Sequence, residues 1–244
     1  MNTPPPPYGA CPHAPPCRWI IWDWNGTLLD DTSAALNAFN AQLTTRGCKA
    51  ISLDFYRAHF AFPVKPFYAL CGIDLAHADW ERIAREYHAA YAHEAKALNR
   101  EAIAALERVK AAGVRQCVLS ALRQDLLEAA IEEAGIRDYF EFVYGTDNLD
   151  GGSKLNRAKE LVEVLCAAGR DIVMIGDAVH DKEVADALGV RCVLTAQGGH
   201  SAERLRAVAP TGDTLLDAVE LALPTTCARQ SCGWNGMRRC GSSP

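Results

Sequence analysis

Two hydrophobic rhythms alternate along the chain. Trp19 to Trp22 is continuously apolar and rich in β-branched and aromatic residues, as a strand buried on both faces requires. Four more short runs read the same way: Val114 to Leu119, Phe140 to Tyr144, Ile172 to Ile175 and Arg191 to Leu194. Between them apolar residues recur at helical spacing. Leu122, Leu126, Ala130 and Ala134 lead up to Gly135; Leu155, Ala158, Leu161, Val162 and Leu165 lead towards Gly169; Val184, Ala187 and Leu188 lead to Gly189. A glycine after the last periodic residue suits the left-handed C-cap. Strands alternating with helices predict an α/β fold with a doubly wound parallel sheet.

From Thr32 to Gly113 the strand rhythm stops and only helical periods remain: Leu36, Phe39 and Leu43; then Trp80, Ile83, Ala84, Tyr87, Tyr91 and Leu98; then Ile103, Leu106 and Val109, with Asn99 as N-cap. About 80 residues of helix exceed an ordinary crossover, so an inserted helical domain is expected over 32–113. Leaving the sheet just after Asp23, it is placed to act as a lid. The core then comprises 18–31 and 114–223. Residues 1–17 hold seven of the twelve prolines and read as a disordered arm. Residues 224–244, rich in Gly, Ser, Arg and Cys without periodicity, read as a loose tail.

Apolar residues at 49 % and charged residues at 23 % of 244 supply ample core. A net charge of −5 gives no electrostatic footprint for nucleic acid. No apolar run approaches the roughly 20 residues of a membrane span, and the proline-rich start lacks the apolar segment of a secretory signal. The ten cysteines are scattered without a C-x-x-C pair, which predicts reduced thiols and a cytoplasmic protein. Cys227, Cys232 and Cys240 have neither regular spacing nor a nearby histidine to suggest a metal site.

The chemistry falls at strand ends. Asp23 ends the first strand, followed by Gly26 and Thr27; Ser120 ends the second; Lys154 opens a helix; Asp177 and Asp181 lie one helical turn apart in G-D-A-V-H-D. In a parallel sheet these ends converge on one crevice. Singly, each has a bland reading: Ser120 and Thr27 as helix caps, Asp23 as a turn residue, Lys154 as a surface charge, Asp181 as an N-cap. Together, in this order, they suit phosphoryl transfer. Asp23 and Asp177 can hold Mg²⁺, Lys154 and the two hydroxyls can orient phosphate oxygens, and one carboxylate is free to attack phosphorus.

D-W-N-G-T-L, the apolar run ending at Ser120, Lys154 and G-D-A-V-H-D resemble, in order and spacing, the four motifs of the haloacid dehalogenase superfamily, over Trp19 to Leu223. H-F-A-F-P-V-K-P-F-Y-A-L-C-G resembles the cap loop of its phosphoglycolate-phosphatase-like members. The resemblance implies a Rossmann-like core with a helical cap. It also implies Asp23 as nucleophile and metal ligand, Asp177 as a metal ligand, Asp181 as a metal-site or orienting carboxylate, and Thr27, Ser120 and Lys154 as phosphate-binding residues. Arg57, His59 and Lys65 are cap candidates for gripping the rest of the substrate, or else surface charges.

One position departs from the pattern. Where the family carries a second aspartate, the acid/base of catalysis, this chain has Asn25, which cannot exchange a proton. Such catalysis is worth about 10² to 10⁴-fold, although the backbone carbonyl of Asn25 can still serve Mg²⁺ as in the family. Either another group or water moves the proton, or the enzyme is slow, or the chain is a phosphate-binding scaffold. His180 is a candidate carrier, with a solvent-facing histidine as its plain alternative. Asn25 followed by Gly26 is also a candidate for deamidation to aspartate. The expected function is Mg²⁺-dependent hydrolysis of a small phosphorylated metabolite, phosphoglycolate first, by a monomer or homodimer with no nucleic-acid or membrane partner. The alternative is a catalytically weak or inactive phosphate-binding protein.

Overall fold

The alternating pattern folds into a sheet flanked by helices on both faces. A computed structural model describes residues 17–147 and 154–223; the proline-rich segment before Cys17, the cysteine-rich tail and Gly151 to Ser153 lie outside the described residues. The elements in chain order are β1 (Trp19–Trp22), β2 (Leu29–Asp30), α1 (Thr32–Thr45), α2 (Leu53–His59), α3 (Lys65–Leu70), α4 (Trp80–His93), β3 (Ala97–Leu98) and α5 (Ala102–Ala111). They continue with β4 (Arg115–Arg123), α6 (Gln124–Glu133), β5 (Phe142–Thr146), α7 (Leu155–Leu165), β6 (Ile172–Gly176), α8 (Val179–Leu188), β7 (Arg191–Thr195), α9 (Ala202–Arg206), β8 (Thr211–Gly212) and α10 (Leu215–Ala222).

Six strands form a parallel sheet in the order β5-β4-β1-β6-β7-β8. Its centre is β1, whose four residues are all buried because neighbours cover both its edges and helices cover both its faces. Alternate side chains divide between the two layers. Ile20 and Trp22 pack with α5, α6 and α10, while Trp19 and Ile21 pack with α7 and α8. Trp22 pairs with Val118 on one side and Ile175 on the other, so Asp23, Ser120 and Asp177 emerge near the same edge of the sheet.

The structure moves two predicted boundaries. The helix carrying Leu106 and Val109, assigned above to the insert, is α5, and it packs on the sheet beside Val118 and α10. An amphipathic stripe reports that a helix has a buried face without naming the layer that buries it. The separate cap core is built from α1 to α4: Phe39, Leu43, Tyr56, Phe67, Tyr68 and Ile83 are buried together. At the other boundary, Cys17 belongs to the sheet's core rather than to the arm, fully buried with its thiol donating to the Trp19 carbonyl.

Of the three glycines expected as helix ends, Gly135 and Gly189 take positive φ. α7 ends instead at Cys166, with φ 48°, and Gly169 serves a different need. A Cβ on Gly169 would lie 2.2 Å from the Gly189 carbonyl oxygen, so its hydrogen lets two loops cross. Asn99 lies just before the start of α5, where its side-chain oxygen accepts from Glu101 N and its amide bridges the Thr27 carbonyl and Gln197. Among the described residues six cysteines are free, and no helix is long and apolar enough to cross a membrane.

Two short strands that the sequence rhythm does not reveal, β2 and β3, pair antiparallel where the insert leaves and rejoins the core. The cap also touches the core from its far side. Arg57 on α2 donates to the carbonyls of Gly198 (3.0 Å) and Gln197 (3.2 Å), and Arg204 on α9 donates to the carbonyls of Arg57 and Phe60 (both 2.9 Å).

Candidate active site

At the end of β1 the chain turns sharply: Thr27 N and Leu29 N both donate to the Trp24 carbonyl. Gly26 makes this turn with φ 75°, and a Cβ there would stand 2.3 Å from an Asp177 carboxylate oxygen. Gly198 approaches Asp177 as closely from the opposite loop, at 2.2 Å for the same added atom. Backbone therefore closes around this carboxylate from two sides, and Gly199 N donates to its Oδ2 (2.5 Å).

Asp23, Asp177 and Asp181 are buried and present oxygens within 4.8 Å of one another. Asp181 sits in the first turn of α8, where its Oδ2 accepts from the backbone of Asp177 (3.1 Å) and Ala178 (3.0 Å). The N-cap itself is Ala178, so Asp181 is not the N-cap residue of the plain reading but the third residue of the helix, reaching back to the cap's backbone. Its other oxygen meets Lys154 Nζ at 2.7 Å, so it serves the cluster as well. Lys154, itself buried, also donates to Asp23 Oδ1.

Three buried carboxylates against one ammonium leave an excess of negative charge. Burial pushes the Asp23 carboxyl up to about 7 despite the pull of Lys154. Asp177 is raised well above the carboxylate range by burial and then by its two acidic neighbours. Burial works against the charge on Lys154, but Asp181 and Asp23 hold its pKa above the usual value. A divalent cation suits this oxygen donor set and would relieve the excess; Asp23, Asp177 and Asp181 are the side chains able to hold it.

The structure gives several of the predicted residues other posts. The Thr27 hydroxyl is fully buried and donates to Asp177 Oδ1 (3.3 Å), supporting a carboxylate rather than facing the cavity. Ser120 lines the cavity, its oxygen accepting from Leu122 N (3.0 Å). None of the three cap candidates lines it: Arg57 is spent on the Gln197 and Gly198 carbonyls, His59 on the Phe55 carbonyl, and Lys65 lies 5.0 Å over the Trp80 ring. His180 is not solvent-facing. Its side chain is 14 % exposed, lies 5.2 Å from the Phe62 ring and lines the cavity, with Nδ1 on Glu183.

Asn25 anchors a network that sequence reasoning missed. Its amide donates to Asp31 Oδ2 (2.8 Å) and to the Tyr91 hydroxyl (3.0 Å), and Tyr91 donates to the same Asp31 oxygen (2.5 Å). Gly26 N donates to Asp31 Oδ1 (2.7 Å). Burial raises the Asp31 carboxyl, while these three donors favour its charged form. The network also bears on deamidation, since the Gly26 nitrogen that would have to attack the Asn25 side chain is committed to Asp31. His200, equally unforeseen, accepts from Val179 N through Nδ1 (3.1 Å), and burial lowers its pKa to about 4, leaving it neutral at pH 7. Asp31 stood in view in the sequence pair Asp30-Asp31; Tyr91 and His200 carried no local sign.

Above the carboxylates opens a cavity of about 240 Å³ between core and cap. Its floor includes Asp23, Ser120 and Lys154; its roof is aromatic, with Phe60, Phe62, Tyr68 and Tyr87.

Residues 20–195 match the model of the family described as haloacid dehalogenase-like hydrolase. The chain is 27 % identical over 192 residues to phosphoglycolate phosphatase of Rhodobacter capsulatus, covering 73 % of this chain and 84 % of that protein. It is 28 % identical over 185 residues to tyrosine-protein kinase PtkA of Mycobacterium tuberculosis, covering 73 % of this chain and 62 % of the relative. The solved structure of the latter superposes with a TM-score of 0.70 at 22 % identity, over 84 % of this chain and 98 % of that one, a likeness of fold.

Proposed function

Because the chain belongs to the haloacid dehalogenase-like hydrolase family, we propose that it is a Mg²⁺-dependent phosphatase of small phosphomonoesters acting through an aspartyl phosphate on Asp23. The observation that carries this reading is the set of three buried carboxylates within 4.8 Å, answered by a single ammonium, at the ends of parallel strands. In it Asp23, Asp177 and the Asn25 carbonyl would hold the ion, with Asp181 beside them. Bound there, Mg²⁺ would supply positive charge to the phosphoryl oxygens and to Asp23.

The chain's own residues do the rest. An Asp23 oxygen attacks phosphorus as the ester P–O bond breaks; the leaving oxygen departs with the bonding pair and takes its proton from solvent water. Water then attacks phosphorus and releases phosphate, restoring the Asp23 carboxylate. Lys154 orients Asp23 and shares its charge with the phosphate, and Ser120 takes a phosphoryl oxygen at the cavity floor. Asn25 and Tyr91 fix Asp31 under the cap, while Asn25 itself has no proton to give. Ten cysteines scattered without a C-x-x-C pair favour the cytoplasm as the place of action.

Steady-state hydrolysis of a phosphomonoester panel headed by phosphoglycolate, with Mg²⁺ or with EDTA, tests the reading against Asp23→Asn as blank. Metal-dependent turnover absent from the blank is expected. An equal rate in the blank would remove Asp23 as nucleophile, and turnover of no ester would leave only phosphate binding.

A further inference from the structure

The roof of the cavity bears on the other half of the ester. Beyond Asp23 and Lys154 it is lined by Tyr56, Phe60, Phe62, Tyr68, Tyr87 and Tyr91 of the cap. Among the described lining residues Lys154 is the only lysine or arginine, and it is already bound to Asp23 and Asp181. The anion nearest the roof is Asp31, which meets Tyr91 and the Asn25 amide. A substrate whose remainder carried a carboxylate would find no lysine or arginine free to pair with it, only the imidazoles of His88, His180 and His200 among the described lining residues, and it would lie beside the Asp31 carboxylate; burial penalises an anion so poorly answered. An uncharged ring would meet other rings, whose faces and edges favour it. The size also fits. A cavity of about 150 Å³ already accepts benzene, and this one measures about 240 Å³.

Asn25 points the same way independently. With an amide where a carboxylic acid would protonate the departing oxygen, the site favours alcohols that leave as stable anions. An alkoxide departs with a basicity near that of hydroxide, whose conjugate acid has a pKa of about 15.7, whereas a phenol resembles the tyrosine side chain at about 10.

We infer that the substrate is an aryl phosphomonoester, a phenol phosphate whose remainder is uncharged and about one or two rings in size. The inference rests on the hydrolase reading above and adds the chemical class of the leaving group. Asp23 displaces phenolate with the P–O bonding pair, solvent protonates the phenolate, and water hydrolyses the aspartyl phosphate.

The test separates binding from turnover. Calorimetry with Mg²⁺ compares phenylphosphonate, 2-phosphonoacetate and inorganic phosphate, and steady-state assays compare phenyl phosphate, a phosphotyrosine peptide and phosphoglycolate. Phenylphosphonate is expected to bind at least tenfold more tightly than phosphonoacetate, and phenyl phosphate to exceed phosphoglycolate in kcat/KM by about 10² or more. Ala84 of α4 also lines the cavity, and Ala84→Phe should weaken phenylphosphonate at least tenfold while changing inorganic phosphate less than threefold, at unchanged thermal stability. The peptide arm distinguishes a free phenol phosphate from a protein side chain as the source of the ring. Tight phenylphosphonate binding without turnover of any ester would uphold the aryl site and defeat the hydrolase reading. Turnover of phosphoglycolate as fast as phenyl phosphate, or equal binding of the two phosphonates, would overturn the inference and leave the hydrolase reading standing.

Discussion

The two halves of the cavity are built on opposite principles. In the floor, each charged side chain answers to a partner from another element: Lys154 to Asp23 and Asp181, Asp177 to Thr27 and Gly199. In the roof, aromatic rings pack on one another, Tyr87 stacked on Tyr91 and Phe60 edge-on to Phe62, with little fixed charge. Floor positions tolerate no change of geometry, because charges this deep need their partners. Roof positions need only shape and volume. Chemistry is thus set by one half and the fit of the leaving group by the other.

Asp23→Asn should break the halves apart most sharply. Turnover is expected to fall by about 10⁴-fold or more, while phenylphosphonate still enters the roof within a fewfold of its original affinity. Calorimetry on the variant would show whether the two are separable. A parallel loss of both would mean that they form one unit.

His200 sits at the seam, bonded to Val179 of the floor and 6.2 Å from the Phe60 ring of the roof. Its folded pKa of about 4 lies below the ordinary value of 6.5. The unfolded chain therefore binds the proton first as pH falls. Stability from the neutral ring is complete above pH 6.5 and drains away as pH drops towards 4. Wild type should lose up to about 3 kcal/mol more than His200→Gln over that window. Denaturant melts at pH 7 and pH 4.5 measure the difference, and parallel curves would contradict the assignment.

A smaller effect is expected where Asn25 and Asp31 join floor to cap. Asn25→Asp sets two carboxylates against each other beside Tyr91 and should cost about 2 kcal/mol. Adding Asp31→Asn restores one donor and one acceptor, so the double variant should melt close to wild type. If the single substitution leaves the melting temperature unmoved, the network is not holding the cap. The smallest expected effect is none at all: peptide mass spectrometry of aged protein should find asparagine at 25, since Gly26 N is bonded to Asp31.

The difference between the halves also explains how much could be read in advance. Trp19 to Trp22 was legible to the residue because a strand covered on both faces must be apolar throughout. Asp23, Lys154, Asp177 and Asp181 were legible because strand ends and the first turns after them converge in any parallel sheet. The roof was not. Tyr91 meets Asp31 across 60 positions of chain, and no periodicity separates a tyrosine facing a site from one in a helical core. Arg57, a candidate for gripping substrate or else a surface charge, binds the carbonyls of Gln197 and Gly198, a pairing with no trace in local sequence. The home of α5 was hidden for the same reason, since its stripe of Leu106 and Val109 fits cap or sheet equally.

The short ribbon of β2 and β3 sets Asp30 opposite Ala97. The whole segment between them therefore departs and returns through one doorway, and its further ties to the core run through a few residues such as Arg57, Phe60 and Tyr91. Such a doorway makes the insert a cassette. An ancestor could exchange it for a larger, smaller or differently lined one at a single junction, inheriting the reaction unchanged while acquiring a new substrate.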